Sequence, residues 1–246
     1  MPTRAELAEN TGAYVLEQPL YPKVFTEDFT YAAGPHNAWI LQVRRANIGW
    51  AREESRRRGI AKIEWWVGWS SPAGIVDELL AAGLVPDDEP VLTGMTCVTE
   101  PPDAADIEVR AVETKEECLE AFQVDWDVWQ ISEAERAERR RFEIERFDEE
   151  QRVGVVHYWT AFLDGRRVGF GRAVDMEEGV ALMGGAVMPD ARGRGVYRAL
   201  VHKRWEHAVA RGTPLLVVQA GRMSAPVLDG LGFERHGDIR LVVDRL

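Results

Sequence analysis

The chain has 246 residues, 46% of them hydrophobic and 29% charged, long enough to bury a core without disulfides and too apolar for general disorder. Asp plus Glu is 41 and Lys plus Arg is 30, a formal charge of −11 that repels phosphate backbones and excludes nucleic acid as a bulk partner. No apolar run reaches the ~18 residues of a membrane span, and the polar, acidic N-terminus lacks an export signal, so a cytoplasmic protein without membrane attachment is expected. Cys97 and Cys118 stand outside any CxxC or His-rich cluster, which predicts neither a disulfide framework nor a structural zinc site.

Residues 1–34 show no clear period, with Pro19 and Pro22 interrupting any long element. Ala38–Val43 reads as a strand, Arg44–Arg58 as a charged helix stopped by Gly59, and Ile63–Val67 as a second strand. Ser71-Pro72 predicts the start of a helix with Ile75, Val76, Leu79 and Leu80 on its apolar face, closed by Gly83. Val91–Val98 is a further strand. The Pro-rich, polar segment Glu100–Asp106 then reads as a linker, which predicts domains over 1–100 and 105–246.

Beyond it, Ile107–Val112 alternates as a half-exposed strand does, and Thr114 begins a helix carrying Leu119, Phe122 and Val124. A second helix, Ser132–Gln151, is so charged that its Arg and Glu spacing predicts a solvated face of weak ion pairs. Strands Val155–Phe162 and Arg167–Val174 flank the hairpin turn Asp164-Gly165. Val180–Met188 is a third strand, whose internal Gly184 and Gly185 point to a bulge or a close backbone approach. A helix over Val196–Ala210, a buried strand Leu215–Val218, a short helix from Ser224-Ala225-Pro226 to Gly232 and a strand Ile239–Val243 complete the chain. Ala82-Gly83-Leu84 and Leu231-Gly232-Phe233 close comparable helices, which predicts an internal repeat.

The segment richest in chemistry is Val187-Met-Pro-Asp-Ala-Arg-Gly-Arg-Gly-Val-Tyr-Arg-Ala-Leu200. A strand ends, a Gly-rich turn follows and a helix begins, so unpaired amides and the positive end of the helix dipole meet where glycines let a ligand approach. Arg192, Arg194 and Arg198 reverse the sign of an acidic protein at this one place, which points to a small polyanion. The GxxxxGK[ST] pattern is absent, and Arg198 stands where a dinucleotide loop needs its third Gly.

These residues resemble the loop of the GNAT superfamily of acyl-CoA-dependent acyltransferases: Arg or Gln, two residues, Gly, one residue, Gly or Ala. Here that reads Arg192-Gly-Arg-Gly195-Val-Tyr197, with Tyr197 replacing the small last residue. Leu231-Gly232-Phe233 matches a second landmark of the family, and residues 37–98 look like the back half of the same fold without its loop. The resemblance implies an α/β (α+β) fold, a mixed, mostly antiparallel twisted sheet flanked by helices, in a tandem arrangement whose N-terminal copy is degenerate. It implies acetyl-CoA as co-substrate and no metal. Coenzyme A would lie in a V-shaped opening between the Val180–Met188 and Leu215–Val218 strands. Its pantetheine would pair with the backbone around Val187 and Met188, and its pyrophosphate would take the amides of Arg192, Gly193, Arg194, Gly195, Val196 and Tyr197.

An amine of a small molecule or peptide would then attack the thioester directly, with a backbone amide near Met188 stabilising the oxyanion. The usual Tyr acid falls on Leu228, the usual Asn on the region of Arg222, Met223 and Ser224, and the central strand offers Met183, Gly184 and Gly185 in place of a carboxylate. His157, Tyr158, Asp175 and Glu177 are the substitutes available on neighbouring strands, and no catalytic residue is assigned among them. The missing groups favour an alternative, a non-catalytic acyl-CoA sensor or interaction module. Oligomeric state is not readable, although halves paired as a pseudo-dimer would let a monomer suffice.

Overall fold

The computed structural model describes residues 1–104 and 106–246. Ala105, inside the expected linker and at the expected start of the second domain, lies outside the described residues. By its internal contacts the chain divides into two compact units, Met1–Thr96 with Val217–Leu246, and Cys97–Leu216.

The first unit opens with α1 (Arg4–Glu9) and α2 (Thr11–Tyr14), within the stretch 1–34 that shows no clear period. The signal there is a capping box: Thr3 accepts from the Glu6 amide while the Glu6 carboxylate accepts from the Thr3 amide. There follow β1 (Lys23–Phe25), β2 (Thr30–Ala33), β3 (Asn37–Leu41), α3 (Ile48–Arg57), β4 (Lys62–Val67), α4 (Ile75–Ala81) and β5 (Val85–Cys97). The end of the chain adds β10 (Leu216–Ala220), α8 (Ala225–Asp229) and β11 (Glu234–Arg245). Strand order is β1-β2-β3-β4-β11-β5-β10. The β3/β4 pair is parallel, whereas β11 runs antiparallel to both β4 and β5. Phe29, Tyr31, Ile40, Ile63, Trp65, Leu79 and Val242 form its main core.

Helix α4 starts at Ile75, three residues after the expected Ser71-Pro72, because Gly74 sits before it at φ 89°, a conformation no helix interior accepts. Strand β5 starts at Val85, well before Val91, since Val85 and Pro86 pair with Val243 and Val242 of β11 beyond a bulge that takes up the acidic stretch Asp87–Glu89.

The expected repeat is visible in how helices close. In α4 the Leu84 amide donates to Leu79 O at 3.2 Å with Gly83 at φ 89°, and after α8 the Phe233 amide donates to Leu228 O at 3.1 Å with Gly232 at φ 88°. One element earlier in each half, Ile60 donates to Ser55 O at 2.9 Å and Thr213 to Ala208 O at 3.0 Å. The order strand, helix, strand, helix, strand recurs with the same closures.

The second unit holds β6 (Glu108–Ala111), α5 (Lys115–Val128), α6 (Glu133–Val153), β7 (Val156–Leu163), β8 (Arg166–Asp175), β9 (Val180–Val187), a single 3-10 turn Pro189–Ala191 and α7 (Val196–Ala210). Its strands pair antiparallel in the order β9-β8-β7-β6. Asp164 and Gly165, at φ 53° and 75°, make the tight turn between β7 and β8 that the sequence predicts. Alternation along the strands separates two faces. Tyr158 and Phe170 meet Phe122 of α5, while His157 and Trp159 meet His207 of α7. Among the described residues no helix is long and apolar enough to cross a membrane.

Candidate functional site

The second unit places the Gly-rich segment between the end of β9 and the start of α7. Met188 extends the ladder by donating to Val168 O at 2.9 Å, the 3-10 turn follows, and Ala191 is buried beneath it. Gly193 at φ 75° and Gly195 at φ 88° then turn the chain into the helix. Gly195 is doubly required, because a Cβ there would also stand 3.1 Å from the Ala104 Cβ. No side chain caps α7 and no acid occupies its first turn. The amides of Val196, Tyr197 and Arg198 at its start are therefore left for water or a ligand.

Arg192, Arg194 and Arg198 are exposed around this turn. Arg192 Nε donates to Val187 O at 3.2 Å, and Arg194 reaches the exposed Asp164 at 3.5 Å. Exposed pairs of this kind hold weakly, so these cations are available to an anion. Val187 and Met188 are half-buried. Tyr197 turns away from the turn toward the sheet, where a Cβ on Gly185 would meet its ring at 3.4 Å. Burial pushes its hydroxyl pKa up against the pull of Arg204, so it stays protonated.

Inside β9 the two glycines mark a bulge. Gly185 pairs with Gly171 and Leu182 with Ala173, so Met183 and Gly184 together oppose the single residue Arg172. Gly184 takes φ 123°, and Met183, Gly184 and Gly185 are exposed between buried Leu182 and Ala186. Beneath the bulge lies Arg204 of α7, 1% exposed. Its Nη1 donates to Gly184 O at 3.3 Å and Arg172 O at 3.4 Å, its Nε donates to Leu200 O at 2.9 Å, and its Nη2 has no hydrogen-bond partner among the described residues. No carboxylate pairs with this guanidinium among the described residues; backbone carbonyls and Tyr197 offset its burial.

The opposite face of the sheet carries a polar network that the sequence reading places on a solvated helix face. Glu143, Arg146 and Glu150 of α6 are all buried. Arg146 pairs with Glu143 and, at 3.4 Å, with Glu150; Arg172 of β8 reaches Glu150 at 3.3 Å; and the Tyr158 hydroxyl donates to Glu150. Burial pushes the Glu143 carboxyl up to about 7 against the opposing pull of Arg146. The expected solvated face is real on the other side of α6, where Arg141 pairs with Glu145 and Arg152 with Glu149 in the open. The available signal was spacing: Glu143, Arg146 and Glu150 share the stripe of Phe147, which is the buried one.

The remaining predicted substitutes separate. His157 and Asp175 pair with each other on the α7 face; Tyr158 points to the α6 network; Glu177 is exposed in the turn after β8. Leu228 is fully buried in α8, so no proton donor replaces the usual Tyr at that position.

Three comparisons bear on this architecture. The family model described as "Acetyltransferase (GNAT) family" matches residues 116–233. No curated protein matches the sequence. Among solved structures, a GCN5-related N-acetyltransferase from Kribbella flavida superposes with a TM-score of 0.67 at 14% identity, over 99% of this chain and 96% of that one. A tandem GNAT protein from the clavulanic acid biosynthesis pathway gives 0.59 at 17% identity, over 99% and 88%. A conserved protein of unknown function from Staphylococcus epidermidis ATCC 12228 gives 0.67 at 8% identity, over 92% and 94%. With its loop, its bulged strand and its element order in place, the chain shares the fold of these proteins along nearly its whole length, and its residues 116–233 match the acetyltransferase (GNAT) family.

Proposed function

We propose that the protein transfers the acetyl group of acetyl-CoA to an amine of a small molecule or peptide. The observation that carries this reading is the pair of left-handed glycines, Gly193 and Gly195, feeding an uncapped helix beside a bulged strand. The amides from Arg192 to Tyr197 take the pyrophosphate, with Arg192, Arg194 and Arg198 around it. The backbone of Val187 and Met188 pairs with pantetheine.

The thioester carbonyl then faces the exposed backbone at the bulge. The Gly184 carbonyl and the Gly185 amide belong to one peptide group. Arg204 donates to that carbonyl from a buried position, which polarises the peptide and strengthens the Gly185 N–H as a donor to the developing oxyanion. The amine attacks the carbonyl carbon, a C–N bond forms, the C–S bond breaks and coenzyme A leaves as its thiolate. Glu143 is the residue we assign as base: buried among Arg146, Glu150 and Arg172, with a carboxyl at about 7, it exchanges a proton near neutral pH. No side chain is assigned as acid, since Leu228 holds the usual position and water can protonate the thiolate.

One observation favours a second reading, an acyl-CoA sensor: the absence of that Tyr. Release of free thiol from acetyl-CoA in the presence of a panel of amines separates the two. Transfer predicts thiol release that needs an amine and falls in Arg204→Met through kcat with KM for acetyl-CoA held. Binding of acetyl-CoA without thiol release for any amine would contradict transfer and leave the sensor.

A further inference from the structure

The second unit holds a cluster that the proposed acyl transfer does not use. His157 at the start of β7, Asp175 at the end of β8 and His207 in the last turn of α7 converge on one carboxylate. His157 Nε2 lies 3.1 Å from Asp175 Oδ2, and His207 Nε2 lies 2.9 Å from Asp175 Oδ1. The two imidazole rings are 4.1 Å apart between centroids, and one ligand atom from each of the three residues falls within 4.8 Å of the others. Trp159 borders both rings, at 6.1 Å and 5.6 Å.

We propose that His157, Asp175 and His207 bind a divalent transition-metal ion, with zinc as the best fit, through the two Nε2 atoms and one carboxylate oxygen. Two imidazoles and a carboxylate are a borderline donor set, suited to zinc rather than to calcium or magnesium. Four ligands at about 2.0–2.1 Å around zinc stand roughly 3.3–3.5 Å apart. The present N–O contacts, made to different carboxylate oxygens at 3.1 and 2.9 Å, lie a few tenths of an ångström short of that, and the three ligand atoms lie within 4.8 Å of one another, so side-chain rotation alone sets them around an ion.

The carboxylate is ready for this role. Both of its oxygens already face an imidazole Nε2, Oδ2 toward His157 and Oδ1 toward His207. On binding, the Nε2 proton that each imidazole shares with Asp175 shifts to Nδ1 through solvent, or is released where Nδ1 is already protonated, and the freed Nε2 lone pair goes to the ion in place of the hydrogen bond. Arg211 stays outside as the partner of the carboxylate: its Nε is 3.0 Å from Asp175 Oδ2, and its Nη1 is anchored on Gly179 O at 3.1 Å. Partners of this kind orient metal-bound carboxylates. Both histidines are half-buried, which leaves the fourth position open to water.

The site lies apart from the acyl-transfer machinery. From Gly195 to His207 the helix rises about 18 Å, so the ion sits at the far end of α7 from the Gly-rich turn. It fastens the last turn of that helix to two strands of the sheet.

Full-length protein freed of metal by a chelator is titrated with Zn²⁺ by calorimetry and with Co²⁺ by visible absorbance. One Zn²⁺ per chain, a raised Tm and the intense bands of four-coordinate Co²⁺, displaced by Zn²⁺, are expected. His157→Gln and His207→Gln each weaken Zn²⁺ by about 100-fold or more, at or beyond the upper end of what outer partners alone contribute. His202→Gln on the same helix, where His202 bonds to Pro101 O instead, leaves affinity unchanged. The Co²⁺ spectrum reads ligation in the unsubstituted protein, so the test does not depend on the variants folding. No saturable Zn²⁺ binding, binding retained in both folded variants, or a Co²⁺ spectrum of the hydrated ion would overturn the proposal.

Discussion

Glu143 shows how a single charged side chain changes character by position. In solution its carboxyl would be ionised at neutral pH; buried beside Arg146 and Glu150 it titrates at about 7. Desolvation outweighs the nearby guanidinium because a second carboxylate, Glu150, shares that same cation. As a base it must be deprotonated to act, so activity rises as pH rises through about 7. Glu143→Gln is expected to lower kcat by about 10²–10⁴-fold and to flatten that limb of the pH profile, while acetyl-CoA affinity stays the same. Steady-state rates across pH check this, and an unshifted profile in the variant would move the base elsewhere.

Elements differ in how plainly the sequence announces them. The Gly-rich turn was legible because everything it needs is local: two glycines for left-handed backbone, three arginines, and an apolar strand and helix on either side. The bulge in β9 was legible in kind, from Gly184 and Gly185, but not in register, which depends on Arg172 across the ladder. Helix α6 was legible as a helix and misread on one face. A charge run looks the same whether water or a neighbouring carboxylate neutralises it, and only the fold brings Tyr158 and Arg172 to Glu150. The His157–Asp175–His207 cluster was legible in part: His157 and Asp175 stand among the substitutes on neighbouring strands, and only the fold brings His207 of α7 to them. The start of α4 and the length of β5 moved because a left-handed Gly74 and the pairing with β11 overrode local propensity.

At the scale of the whole molecule, the contact division cuts across chain order. The last strand, β11, finds both of its partners, β4 and β5, in the first 97 residues. Arg52 of α3 also pairs with Asp244 of β11, at 2.8 Å. A fragment beginning at residue 101 would therefore leave a 12-residue strand with both edges bare, a template for aggregation. Expressed alone, it is expected to aggregate or to lose cooperative unfolding; a monomeric fragment with a sharp thermal transition would contradict this. The account as a whole stands on the anion cradle at the start of α7, and calorimetric titration of the full-length protein with acetyl-CoA tests it most directly. Saturable one-site binding is predicted, weakened by at least about tenfold, or about 1.4 kcal/mol, in Gly195→Val, where both φ and the Ala104 contact forbid a side chain. Absence of binding, or equal affinity in a folded Gly195→Val protein, would contradict it.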